Sequence, residues 1–165
     1  MITVNPTSNQ SPDATLGGLA VTTPSNTGHA LTQTVSNDGG STTKTIRWFS
    51  FPVVNGTKKL VTLKIDHNTE GVLVGGGALN DYLLEHSTNG GSSWSTTVHR
   101  ANLTSQVVAT VSVPLSVGQD ISQVQVRETN FAFTVDPGES AQVASTTSNV
   151  RVEIEFVNQA IIVMM

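Results

Sequence analysis

Val150-Arg151-Val152-Glu153-Ile154-Glu155-Phe156 carries an apolar side chain at every even position and a charged one at every odd position. Side chains of an extended strand alternate between two faces, so the stretch reads as a strand with one face buried and the other in water. The same period of two runs through Ile46 and Trp48 until Pro52 stops it, and through Val61, Leu63 and Ile65. It recurs in Tyr82–His86, in Val107–Val113 before Pro114, in Ile121–Thr129 and in Phe131–Val135. About eight strands follow. Turn signals separate them: Asn37-Asp38-Gly39-Gly40, Asn55-Gly56, Gly75-Gly76-Gly77, Asn89-Gly90-Gly91, Val117-Gly118-Gln119-Asp120 and Asp136-Pro137-Gly138. Their spacing suits antiparallel hairpins and Greek-key crossings. No segment keeps apolar residues at helical spacing for three turns, which removes the crossovers a parallel sheet needs. The expected fold is all-β, an antiparallel β-sandwich of jelly-roll type, with an immunoglobulin-like sandwich as second choice.

Composition agrees. Of 165 residues, 40 are Ser or Thr and 22 are Val, while charged residues make up 12% and aromatic residues 5%. Strands and turns draw on that mix more than helices do. The net charge is −4 and no basic run exceeds Lys58-Lys59, so an electrostatic grip on nucleic acid or anionic lipid is not expected. With no cysteine there is no disulfide, thiolate metal site or cysteine nucleophile. The polar start of the chain and the lack of a long apolar window predict neither a secretory leader nor membrane insertion.

Both ends depart from this regularity. Residues 1–28 hold Pro6, Pro12 and Pro24 among Asn, Ser, Thr and Gly, and read as an extended N-terminal arm with one strand at Leu16–Thr22. Residues 29–159 form the sandwich domain. Residues 160–165, Ala-Ile-Ile-Val-Met-Met, make an unbroken apolar tail that is too short for a bilayer and hazardous if exposed. Ile161, Ile162, Val163, Met164 and Met165, with Thr3, Val4, Asn5 and Pro6 of the arm, are the expected partner contacts.

Catalytic and metal chemistry find little footing. Asp66-His67 with Glu70 falls short of the ligands a calcium or zinc site uses, so no metal and no cofactor is expected. His86 and His99 flank a hairpin and could face each other across it. Folding could bring Glu85 to Glu128, or Glu153 to Glu155, but the last two alternate with an apolar face as solvent-side decoration. The Gly75–Gly77 run lacks the Lys-Ser/Thr of a phosphate loop. No catalytic residue is assigned, and the chain is read as a non-enzyme.

Ser87-Thr88-Asn89-Gly90-Gly91-Ser92-Ser93-Trp94 resembles the Asp-box hairpin, S-x-D-x-G-x-x-W, of sialidase propellers, with Asn at the third position. In that family the box lies away from the catalytic centre, so the resemblance implies a stable turn. Outward aromatics could also stack sugars, with Trp94, Phe49 and Asn89 as the glycan candidates. Trp48 and Phe49 occupy opposite phases of one strand, so one belongs to the core and the other outside.

As a whole, a cysteine-free, Ser/Thr/Val-rich sandwich with an arm and an apolar tail resembles small structural proteins of tailed bacteriophage virions: capsid decoration (cement) proteins and fibre β-sandwich domains. The resemblance implies a non-enzymatic virion component, assembled from the host cytoplasm. Its partners would be the major capsid protein or other virion subunits, copies of itself (a trimer is favoured), and a surface glycan. The alternative is a carbohydrate-binding module or receptor-binding fibre domain.

Overall fold

A computed structural model describes residues 1–10, 31–37, 40–136 and 138–157. Ten strands appear among them: β1 (Ile2–Val4), β2 (Ser8–Gln10), β3 (Leu31–Asn37), β4 (Gly40–Phe49), β5 (Lys58–Val74), β6 (Leu79–Ser87), β7 (Ser95–Ala101), β8 (Val107–Leu115), β9 (Gln125–Thr134) and β10 (Ser140–Phe156). A short 3₁₀ turn, Ile121–Gln123, capped by the Asp120 side chain, leads into β9. Where the sequence suggested one strand from Ile121 to Thr129 and another from Phe131, there is this turn and then a single strand.

All pairings are antiparallel. One sheet runs β3–β10–β5–β8, the other β4–β9–β6–β7. Successive strands from β3 onward thus wind through both sheets in the double Greek key that defines a jelly roll. β1 lies beside the second half of β10, on the same side as β3, and β2 extends the other sheet next to β4. Ile2–Val4 and Ser8–Gln10, within the stretch expected as an arm, thus pair as strands of the chain's own sandwich. Residues 11–28 of that arm, including the strand at Leu16–Thr22, and the tail 160–165 lie outside the described residues.

The core follows the alternation. Ile46, Trp48, Val61, Leu63, Ile65, Tyr82, Leu84, Val126, Val152 and Ile154 all face inward and form one cluster with Val4 and Ile121. Towards one end the interior becomes polar. Glu128 and Asn130 of β9 meet Ser145 and Thr147 of β10, all fully or almost fully buried. Asn130 donates to Ser145 Oγ at 2.8 Å and Ser145 Oγ to Glu128 Oε1 at 2.5 Å, while Thr147 Oγ1 and the Tyr82 hydroxyl donate to Glu128 Oε2. These bonds tie one sheet to the other where apolar packing is thin. Burial, then the neighbouring Glu128, pushes the Tyr82 hydroxyl far above the usual phenol range.

A second tie is made by Asn80 of β6. Its Nδ2 donates to the carbonyls of Leu103 (2.8 Å) and Gln142 (2.9 Å), and its Oδ1 accepts from the Leu103 N–H at 2.5 Å. One side chain thus joins β6, β10 and the loop between β7 and β8.

Candidate functional surfaces

The Ser87–Trp94 hairpin is held by short-range bonds of its own. Asn89 Oδ1 accepts from Ser87 Oγ and from the Ser93 N–H, both at 2.9 Å, and Ser87 Oγ accepts from the Gly91 N–H at 2.9 Å. Gly91 has φ 86°, and a Cβ there would stand 2.9 Å from Gln125 Oε1, so glycine fits on both counts. Trp94 is half-buried, with the Arg127 guanidinium 4.3 Å from its ring centre; Arg127 also pairs with Glu85. Phe49 is likewise half-exposed and carries Arg47 at 5.5 Å, whereas Trp48 is in the core. Asn89 is thus engaged in its own turn, and each candidate aromatic has a cation over one ring face. Phe131 and Phe133, missed in the sequence as surface residues, lie parallel on the same outer face with centres 6.5 Å apart.

Strand parity decides the fate of the other candidates. Asp66 points outward and His67 inward, because neighbours on a strand cannot share a face, so with Glu70 they form no common ligand set. Among the described residues no group of three or more His, Asp or Glu side chains could hold a metal ion. His67 is 2% exposed and its ring stacks on Tyr82 at 5.6 Å; burial first, and then the charge of Arg100, holds it below the usual imidazole range. His86 and His99 do not face each other. His86 pairs with Ser95 in the ladder and bonds Thr97 Oγ1 at 2.8 Å, whereas His99 lies beside Leu83 and bonds Asp81 at 2.8 Å. Glu128 is an interior residue, whereas Glu85 pairs with Arg127 on the outer face of the same sheet. The two carboxyls that folding could have converged are thus on opposite faces. Glu153 and Glu155 are outward and paired, Glu153 with Lys64 (2.8 Å) and Arg151 (3.1 Å), Glu155 with Lys59 (2.8 Å). The Gly75–Gly77 turn is pinned by Glu139, which accepts the Gly77 N–H at 2.7 Å and the Val135 and Asp136 N–H groups at 3.1 Å. A Cβ at Gly75 would stand 2.5 Å from Glu139 Cγ and 2.7 Å from its Oε1.

Of the proposed arm contacts, Val4 and Pro6 are buried, Asn5 is half-buried and Thr3 is exposed, opposite Glu153 on β10. Ile161 to Met165 lie outside the described residues.

Two surface features come from non-local register and left no sequence signal. The first is a depression of about 400 Å³ on the outer face, between Asp66 and Asn68 of β5, Val108 and Thr110 of β8, and Thr146 and Ser148 of β10. A register shift in β10 between Ser148 and Arg151 puts Asn149 at φ 49° and lets its amide reach Asp66 Oδ2 at 2.9 Å. Burial alone would raise the Asp66 pKa. Bonds from Thr110 and Asn149 and the charge of Arg151 hold it below the usual carboxylate range instead.

The second is the rim of that sheet. Among the described strands β8 pairs only with β5, so its other side is an open ladder edge. None of its nine residues is charged, and Val108 is 72% exposed. Three other edges are blunted: β1 and β2 have three residues each, and β7 carries His99 and Arg100. β3, shorter at seven residues, pairs only with β10 among the described strands.

No protein-family model matches the sequence, and no curated protein matches it. Among solved structures, one described as "CBM4 structure and function" is similar at 16% identity over 93% of this chain and 94% of that one, with a TM-score of 0.33. Another, of the infectious bursal disease virus Gx strain, is similar at 12% identity over 87% of this chain, with a TM-score of 0.34; the match spans 36% of that longer chain. By its own strand order the protein is an antiparallel jelly-roll β-sandwich.

Proposed function

We propose that the protein is a non-enzymatic virion structural component that works by contact, joining neighbouring subunits as capsid decoration proteins do. The observation that carries this reading is the open edge of β8. A long, uncharged edge strand exposes a row of unpaired N–H and C=O groups, and isolated proteins ordinarily protect such a row with charge, proline or brevity. Here only Pro114, near the far end, does so. A partner strand laid there would satisfy the row and cover Val108. The partner set includes the capsid subunits and further copies of the chain, with the apolar tail 160–165 as a second contact.

The reading is tested by co-sedimentation with particles of the virus that encodes the chain, comparing the native protein with Val108→Lys. Val108 is exposed and is no member of the core cluster, so the fold is expected to survive the change, while a lysine on the rim opposes strand addition. The native chain is expected in the particle fraction and the variant depleted about tenfold, a loss of about 1.4 kcal/mol. A native chain that stays in the supernatant overturns the proposal.

A further inference from the structure

We infer that the strand completing the β8 edge is β8 of a second copy, paired antiparallel about a two-fold axis at Thr110. This rests on the contact reading above and names its partner.

The direction of the edge follows from Pro114. It pairs with Thr62 of β5, and having no N–H it fits a ladder only with its nitrogen turned to the open side. Amide groups alternate in direction along a strand, so those of Val108, Thr110 and Ser112 also point away from β5. A two-fold axis at Thr110 sets Thr110 against Thr110 and Val108 against Ser112 in both halves. That satisfies about six hydrogen bonds and leaves both prolines beyond the paired stretch. Moving the axis to Val111 would set each Pro114 ring against a Val108 carbonyl that then finds no donor.

Charge permits a copy as the partner. The strand carries no charge, so self-pairing brings no like charges into register. The nearest ionised group on the same outer face is Asp66, whose Oδ1 accepts from Thr110 Oγ1 at 2.7 Å. Three strand spacings would separate it from its counterpart, about 14 Å. That exceeds the screening length of about 8 Å at physiological salt. β-Branched and hydroxyl side chains facing one another across the axis are favourable cross-strand neighbours. The product is one continuous sheet across two sandwiches. A two-fold closes on itself, so this contact makes a dimer and not the threefold assembly that the sequence suggested.

Because the chain has no cysteine, single cysteines report the register without background. Residues opposite each other in a hydrogen-bonded antiparallel pair have Cα atoms about 5.5 Å apart, within disulfide reach. Thr110→Cys is expected to give a covalent dimer on mild oxidation and Val111→Cys to stay monomeric. Sedimentation of the native full-length chain should show a concentration-dependent dimer, and Val108→Lys should shift it to monomer. Cross-linking through Val111→Cys but not Thr110→Cys overturns the register. A native chain that is monomeric at every concentration, with neither cysteine cross-linking, overturns the second copy as partner. In that case, loss of particle binding by Val108→Lys would still uphold the contact reading, so the two failures are told apart.

Discussion

Asn80→Ala should lower the stability of the sandwich by about 3 kcal/mol. The substitution takes away one acceptor and two donor bonds and strands the buried Leu103 N–H and C=O, and orphaned buried groups cost about 1 to 3 kcal/mol each before water enters. For a chain of this size the melting temperature should fall by about 10 °C, measured by thermal denaturation followed by circular dichroism. Asn80→Asp sharpens the test. The carboxylate keeps the Leu103 N–H but confronts two carbonyls with a negative charge, so at neutral pH it should be no more stable than alanine. A fall under about 1 kcal/mol in both variants would mean that the side chain does not tie the sheets together.

Trp48→Ala should be costlier still, at about 4 kcal/mol, because a large side chain buried between β4 and the core leaves a cavity that strands on both sides hold open. Its neighbour Phe49 provides the control. It faces outward beneath Arg47, and Phe49→Ala should cost less than about 1 kcal/mol. Urea denaturation of the two variants side by side reads the parity of β4 directly. Equal losses would mean that the strand is turned by one residue.

The parity of Trp48 and Phe49 was legible because apolar and polar residues alternate there. The same rule found the second half of β10 and the first half of β5, then stopped short in both. Inward positions beyond Ile65 are His67 and Thr69, and those before Val150 are Ser145 and Thr147. These side chains are buried but polar, and Ser145 and Thr147 bond Glu128, so hydrophobic periodicity fades although the strands continue. β7 was hidden for a different reason: as an edge strand with Ser, Thr, His and Arg it has little apolar face to display. The hairpin at Asn89 was legible because its bonds run between residues two to four apart. The depression beside Asp66 depends on residues from three strands far apart in sequence, and the exposure of β8 depends on strand order. Neither property is local. The sequence marked Val107–Val113 as a strand and gave Pro114 as its end, but only the sheet order shows that nothing described lies on its far side.

That edge is also where the account is most directly tested. Amide hydrogen exchange at Val108, Thr110 and Ser112 should be fast in the dilute chain, where these groups face water. In chain bound to particles it should slow by at least about a hundredfold, while Val111, already bonded to β5, changes little. Equal exchange at the three amides in both states would contradict the claim that this protein acts through its open edge.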